Sequence, residues 1–144
     1  MGHIILVDSS VFVASLLEDD PSHTSVQRFF ALLDAQDDMG YSVVEPATVV
    51  LEVANTLTRL GHSQEAGDIT AYFSSVEIMP IDRAFINSVL PLLKNINLKT
   101  ADALITAAAH LLEAALITLD KKLLREAKKI TPAYTPEEYM KKRR

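Results

Sequence analysis

Residues 4–8 read IILVD, an apolar run that ends on an acid, Asp8. The run predicts an apolar strand over residues 3–8, and the residues after it predict a short helix at about 9–18. Asp8 therefore falls at the junction of the two elements. An acid at such a junction lies at the carboxyl end of its strand.

Helical and extended patterns alternate along the rest of the chain. An amphipathic helix is predicted to begin near Ser22, since apolar residues then recur at intervals of three and four. Another helix should be bent or ended by Pro91. The helix that contains Pro91 is predicted at about 82–94. Other helices are predicted from Pro46 to before Gly61, at about 63–74, 100–113 and 120–129, and from Thr135. Strands are predicted at 41–44, 76–79, 115–119 and 130–134.

Strands joined through helices imply right-handed crossovers and a mostly parallel sheet that is covered on both faces. The expected fold class is α/β, a three-layer α/β/α arrangement around that sheet. The 144 residues should form a single domain, residues 1–144. Ligands in such folds bind beyond the carboxyl ends of the strands, so a functional site is expected there.

Four acids are predicted to lie near that end of the sheet. Asp8 and Asp120 each follow an apolar strand. Asp102 lies in the first turn of an alanine-rich helix, and Glu52 lies on the polar side of the helix that follows Pro46. Carboxylates gathered in this way repel one another, and Mg²⁺ or Mn²⁺ accepts oxygen ligands of this kind. The four acids thus indicate metal-dependent chemistry on phosphate esters.

Each acid also has an ordinary structural interpretation. Asp8 and Asp120 could serve only as helix N-caps, and Asp102 could serve only the helix dipole. Glu52 could belong to a solvated helix face with Arg59 as its surface partner. What favours a site is the conjunction of all four acids at one end of one sheet.

Charge is distributed unevenly, although the net charge is −5. Residues 121–144 hold nine Lys or Arg and three acids, a charge of +6, whereas residues 1–120 hold five basic and sixteen acidic side chains, a charge of −11. The basic segment begins directly after Asp120 with Lys121, Lys122 and Arg125, which could hold a phosphate backbone. The alternative is a solvated last helix with a frayed basic tail.

Composition excludes several classes of protein. The absence of cysteine excludes disulfides and thiolate metal sites. No apolar run approaches the roughly 18–20 residues that a membrane span needs, and no basic segment precedes an apolar one at the N-terminus. A cytoplasmic location with no membrane association is expected.

Four segments together resemble the motifs of PIN-domain ribonucleases, and most of all the small VapC-type toxins of toxin–antitoxin operons. No single segment is specific, but the set occurs in the family's order over almost the whole chain. The segments are VDSSVF at 7–12, LEVAN at 51–55, TADALITAAA at 100–109 and ITLDKKL at 117–123.

The resemblance implies a role for each matching residue. The acidic quartet that binds Mg²⁺ or Mn²⁺ would be Asp8, Glu52, Asp102 and Asp120. Thr118 would be the hydroxyl that orients the site, and Arg59 a contact to phosphate. Ser10 stands where many relatives have Asn, but Ser9 and Ser10 can still hydrogen-bond the Asp8 carboxylate. The protein would be an endoribonuclease acting on RNA, with a protein antitoxin as its partner.

Other classes of protein fit the sequence less well. A haloacid-dehalogenase-like phosphatase needs a second Asp at position 10, where Ser10 stands. A response-regulator receiver needs a phospho-accepting Asp after a middle strand, and the segment at 44–46, Val-Glu-Pro, does not match. A PIN-fold RNA-binding or interaction module without catalytic activity would be expected to have lost one of the quartet. The four histidines show no spacing that suggests a zinc site.

Apolar residues on the helices predict association. Their number is expected to exceed what one small sheet can cover, which predicts a homodimer and leaves a groove for an amphipathic antitoxin helix. The alternative is that all of them belong to the core. The residues concerned are Phe29, Phe30, Leu57, Tyr72, Phe73 and Phe85.

Overall fold

A parallel sheet forms the centre of the computed structural model, which describes residues 3–35 and 40–143. Its strands are β1 (His3–Val7), β2 (Tyr41–Pro46), β3 (Glu77–Met79), β4 (Ala115–Ile117) and β5 (Ala133–Tyr134). Within these ranges the order is β3-β2-β1-β4-β5, and each neighbouring pair is parallel. The predicted α/β class, with helices on both sides of the sheet, is confirmed. Arg144, the last residue of the predicted basic tail, lies outside the described residues.

The helices follow the predicted order with small differences at their ends. They are α1 (Ser9–Leu16), α2 (His23–Ala35), α3 (Ala47–Arg59), α4 (Ser63–Gly67), α5 (Ile69–Tyr72), α6 (Arg83–Leu93), α7 (Thr100–Leu111), α8 (Lys121–Ala127) and α9 (Pro136–Lys142). The expected strand at 115–119 ends at Ile117, so Thr118 and Leu119 lie beyond it.

The structure corrects one predicted helix and, for another, excludes one of the two effects predicted for Pro91. The single helix expected at 63–74 is two short helices, because Gly67 and Asp68 are both poor helix formers and occupy its middle. Pro91 does not end its helix but lies inside α6, which continues to Leu93. Pro91 stands in the last turn, where its missing N–H removes only one hydrogen bond.

The central strand explains why the IILVD run is apolar throughout. Leu6 and Val7 are fully buried because β1 has a neighbour on each side and helices over both faces. Burying a side chain of this size contributes about 1.5–3 kcal/mol. The burial of β1 fixes the position of the residue that follows it, Asp8.

The order of the strands also locates a crevice. The chain runs from β1 to β2 and β3 on one side, then crosses to β4 on the other side of β1. Connections that leave two adjacent strands in opposite directions open a crevice at the carboxyl ends, which here lies between β1 and β4.

In the described residues, no helix combines the length and apolar character that crossing a membrane requires.

The aromatic residues that predicted excess apolar surface are mostly in the core. Phe29, Leu57 and Phe73 are buried, and Phe30 and Phe85 pack against the core. Phe12, which was not among them, contacts three other rings. Tyr72 alone of the predicted set is exposed, at 36%. That rationale for a homodimer is therefore wrong, although the dimer itself stays a prediction.

Candidate active site

Asp8 is fixed at the carboxyl end of β1 by its main chain. Its N–H donates to the carbonyl of Ile117 at 2.8 Å, which ties it to β4. Its carbonyl accepts from the N–H of Val11 at 3.0 Å, because Asp8 is also the N-cap of α1. The residue thus stands at the crevice between β1 and β4 and has little freedom to move.

The Asp8 side chain uses its two oxygens differently. Oδ2 accepts from Ser10 Oγ at 2.6 Å and from Thr118 Oγ1 at 2.9 Å, with the Ser10 N–H at 3.4 Å. Oδ1 accepts no hydrogen bond from any residue in the described ranges. Asp8 is only 4% exposed. One of its oxygens is therefore held by hydrogen bonds in a buried setting, and the other has no protein donor among the described residues.

Ser10 and Thr118 join the ends of β1 and β4 through their hydroxyls. Each donates to Asp8 and accepts a main-chain N–H: Ser10 Oγ from Leu119 at 3.2 Å, and Thr118 Oγ1 from Asp120 at 3.0 Å. A hydroxyl can do both at once because it carries one donor and two acceptor lone pairs. Of the two serines predicted to bond Asp8, only Ser10 does so in the structure.

Asp120 has a simpler environment. It is the N-cap of α8, where its Oδ1 accepts from the Leu123 N–H at 2.9 Å. Its side chain is exposed and accepts no other hydrogen bond from the described residues. N-capping of α8 therefore accounts for the side-chain contact of Asp120. For the Asp8 side chain, N-capping accounts only for the 3.4 Å contact with the Ser10 N–H.

Glu52 and Asp102 lie half-buried on α3 and in the first turn of α7. Burial, assisted by the charges of Asp8 and Asp102, raises the pKa of Glu52 from 4.5 to about 7. Burial likewise raises the pKa of Asp102 to about 6, with contributions from Asp8 and Asp120. These effects mean that the four carboxylates share one electrostatic environment.

The donor set fits a divalent cation in its chemistry. All four groups are carboxylates, and none forms an ion pair with a Lys, Arg or His of the described chain. Within residues 3–35 and 40–143, however, no three acidic or histidine side chains converge tightly enough to hold an ion. Binding of an ion by all four carboxylates would therefore require these side chains to rotate toward a common point.

The predicted cationic contacts are all exposed. Lys121, Lys122 and Arg125 lie on α8, and the charge of Lys122 lowers the pKa of Asp102. Arg59 lies in the last turn of α3. Among the described residues it forms no ion pair with Glu52, so its interpretation as a surface partner of that acid is not supported.

Two residues near the site were not identified from the sequence. Glu45, on β2, is fully buried, and both its oxygens accept from the Val7 N–H. Burial raises the pKa of Glu45 well above its usual value, opposed by the Val7 bond and assisted by the charge of Asp8. Lys99, the N-cap of α7, lowers the pKa of Asp102. In the sequence, Glu45 could have been identified as an acid late in an apolar strand, whereas nothing in the sequence indicated Lys99.

Two cavities lie near these elements. One of about 480 Å³ includes one of the four acids, Asp120. It is lined mainly by hydroxyls and carboxylates, from Ser9, Ser10, Asp20, Ser22, Thr56 and Asp120. The other, of about 560 Å³, is lined by Phe12, Phe30 and Tyr72 together with polar residues, and none of the four acids contributes to it.

Comparison with known proteins gives a family and a fold. A family model described as PIN domain matches residues 5–129. A structure of the Mycobacterium tuberculosis toxin VapC20, titled a sarcin-ricin loop cleaving toxin, has a TM-score of 0.67 at 18% identity, covering 83% of this chain and 92% of that one. No curated protein sequence matches the chain.

Two further similar structures are complexes. VapBC2 from Rickettsia felis, bound to a DNA fragment from its promoter, has a TM-score of 0.66 at 16% identity, covering 92% of this chain and 98% of that one. FitAcB from Neisseria gonorrhoeae has a TM-score of 0.64 at 20% identity, covering 92% and 98%. At such identities the likeness shows the fold.

Proposed function

The chain belongs to the PIN domain family, and on that premise we propose that it is a metal-dependent endoribonuclease, the toxin of a toxin–antitoxin pair. The observation that carries the proposal is the Asp8 carboxylate. One of its oxygens is fixed by two hydroxyls, and the other accepts no hydrogen bond from the described residues. Its charge also raises the pKa of both Glu52 and Asp102, so the acids form one group.

Mg²⁺ or Mn²⁺ is the proposed cofactor, held by Asp8, Glu52, Asp102 and Asp120. These are hard oxygen donors, which suit either ion. When bound, a divalent cation supplies a more acidic water and positive charge for the phosphoryl oxygens. Thr118 and Ser10 keep the Asp8 carboxylate in one orientation, which is the contribution that the protein makes before any ligand arrives.

Unpaired RNA is the proposed substrate. In-line attack on a phosphodiester requires a backbone that can bend into an acidic crevice, and a single strand bends most easily. Lys121, Lys122 and Arg125 follow Asp120 on the exposed surface of α8. Cations beside the crevice would hold flanking phosphates, and Arg59 is a further candidate for the same role.

A protein antitoxin is the proposed partner. VapBC2 and FitAcB are similar folds, and another similar structure is titled a toxin–antitoxin complex from Klebsiella pneumoniae. The cavity that contains Phe12, Phe30 and Tyr72 offers aromatic surface for an amphipathic helix. Occupation of that cavity would leave the acids themselves accessible.

A homodimer also remains part of the proposal, on a different set of residues. Ile86 and Leu90 lie one turn apart on α6 and are exposed by 44% and 56%. Exposed apolar side chains that cluster favour an interface. Light scattering should report twice the mass of one chain, and a monomer would contradict this part of the proposal. The other large exposed apolar residues are Leu51, Leu60, Tyr72, Ile78, Ile81 and Leu111.

The decisive experiment combines metal binding with RNA cleavage. Calorimetric titration with Mn²⁺ should show binding, and the protein should cleave single-stranded RNA in a reaction that EDTA stops. Asp8→Asn should weaken both, whereas Asp19→Asn, which removes an exposed acid that does not line the 480 Å³ cavity, should change neither. Cleavage at the parent rate by Asp8→Asn would refute the assignment. Binding of RNA without cleavage in Mn²⁺ would favour the non-catalytic PIN-fold module.

A further inference from the structure

A buried carboxyl group stands directly behind the acid site. Glu45 is 0% exposed, and its Oε1 and Oε2 accept from the Val7 N–H at 3.1 and 3.0 Å. Val7 is the last residue of β1, immediately before Asp8. No segment of the sequence that resembles a family motif contains Glu45, and the chemistry proposed above does not use it.

The course of β2 explains why a side chain is needed at this point. Residues 41–43 of β2 pair with β1, whereas residues 44–46 pair with β3 on the other side. Near the end of β1 its main chain therefore has no registered partner in β2. The Glu45 carboxyl supplies the acceptor in its place, because a buried N–H without an acceptor is strongly unfavourable.

Successive N–H groups of a strand point to opposite sides. The Val7 N–H meets Glu45 on the side of β2, and the Asp8 N–H meets the Ile117 carbonyl at 2.8 Å on the side of β4. The end of β1 is thereby held on both sides, in a clamp formed by Glu45 from β2 and Ile117 from β4. Oδ2 of Asp8 is held as well, by the hydroxyls of Ser10 and Thr118, so both the main chain and the carboxylate are fixed at this point.

We propose that Glu45 is a positioning residue, which holds the end of β1 through Val7 and so sets the place of the Asp8 carboxylate. The consequence for catalysis rests on the proposed function, whereas the clamp itself does not. Glu45 is not a further metal ligand, because both of its oxygens are directed to the Val7 N–H. Its raised pKa agrees with a role that adds no charge beside Asp8.

A purely space-filling role makes a different prediction. An apolar side chain of similar size would fill the same volume but would leave the Val7 N–H without an acceptor. A glutamine would keep a carbonyl oxygen at the same position. Glu45→Leu and Glu45→Gln therefore separate packing from hydrogen bonding at nearly constant volume. Leu33→Ala truncates the core on α2, an element that carries none of the four acids and neither of the hydroxyls that bond Asp8.

Three measurements on these variants test the proposal. In Glu45→Leu, Mn²⁺ affinity should fall at least about tenfold, as is typical when a group that orients a metal ligand is removed. Its kcat for RNA cleavage should fall while KM stays near the parent value. Glu45→Gln should remain close to the parent in both, and Leu33→Ala should lose thermal stability without losing Mn²⁺ affinity.

Hydrogen exchange at the Val7 amide, followed by NMR, requires neither metal nor RNA. Exchange should be slow in the parent and in Glu45→Gln, and faster in Glu45→Leu. Parent-like Mn²⁺ affinity in Glu45→Leu would overturn the proposal, as would equal impairment of Glu45→Gln and Glu45→Leu. If Glu45→Leu does not fold, unprotected Val7 in Glu45→Gln would overturn it. A parent that binds no Mn²⁺ but protects Val7 through Glu45 would refute the proposed function and leave the clamp standing.

Discussion

The ends of β1 and β4 look alike in sequence and differ in structure. Each apolar strand leads to an aspartate, directly after β1 and after two further residues in the case of β4, and the aspartate caps the next helix. Asp8 is 4% exposed and its Oδ2 takes two hydroxyl donors, whereas Asp120 is exposed and its Oδ1 takes one main-chain N–H. The difference teaches that a cap is set by local sequence, but a held carboxylate requires hydroxyls from two separate parts of the chain.

The largest expected difference between the two ends is in RNA cleavage. Asp8→Asn should lower the single-turnover rate at saturating RNA on the order of 10²-fold or more, because it removes charge that acts in the transition state. Asp102→Asn should have an effect of the same order. Asp120→Asn should cost roughly tenfold, as for a more weakly held group. Equal losses at Asp8 and Asp120 would remove the distinction between the two strand ends.

Thr118→Val tests the bond that joins the two ends. The hydroxyl serves Asp8 and the Asp120 N–H together, so its loss should cost about 1–3 kcal/mol in the free energy of unfolding and roughly tenfold in Mn²⁺ affinity. Thr131→Val is the matched control, since its buried hydroxyl donates only to the Ala114 carbonyl. Calorimetry should show a loss of stability in both variants and a loss of Mn²⁺ affinity in Thr118→Val alone.

The pH dependence of stability should also separate the ends. The pKa of Glu52 rises from 4.5 to about 7 on folding, so the metal-free folded protein binds the extra proton over that interval and loses stability as pH rises through it. The pKa of Asp102 rises from 3.8 to about 6 on folding, so this acid also lowers stability as pH rises through that interval. Mn²⁺ should stabilise the folded protein more strongly at the upper end of these pH intervals, where the acids are ionised.

Removing the charge of Asp8 or of Asp120 should weaken the pH dependence of stability to different degrees. Asp8 raises the pKa of both Glu52 and Asp102, whereas Asp120 raises only that of Asp102. Thermal midpoints measured across the pH range should therefore change most in slope for Asp8→Asn and less for Asp120→Asn. The reverse order would show that the acids couple through Asp120 instead.

The smallest expected effect concerns Asp120 as a cap. Asp120→Ala should lower the free energy of unfolding by about 0.5–2 kcal/mol, and Asp120→Ser should retain most of it because serine also caps helices well. Chemical denaturation measures both. If Asp120→Ser also cleaves RNA at the parent rate, Asp120 serves α8 only, and the acid group has three members.

The sequence predicted features that depend on neighbours along the chain. The parallel sheet, the cap positions of Asp8 and Asp120, and the placement of Asp102 in a first helical turn all follow from local patterns. The clamp at Glu45 does not, since it depends on where β2 departs from β1. The apolar residues that were expected on the surface could not be assigned correctly either, because an aromatic cluster between helices is a tertiary feature.

The bond between Thr118 and Asp8 spans 110 positions of sequence. Contacts between distant parts of a chain form late in folding, and a chain emerging from the ribosome folds from its N-terminus onward. Until residues 115–118 have been made, Asp8 has neither the Ile117 carbonyl nor the Thr118 hydroxyl to hold it. The acid site is thus completed only once the 110 residues that follow Asp8 have been made, and a chain still attached to the ribosome carries Asp8 in an unfinished setting until then.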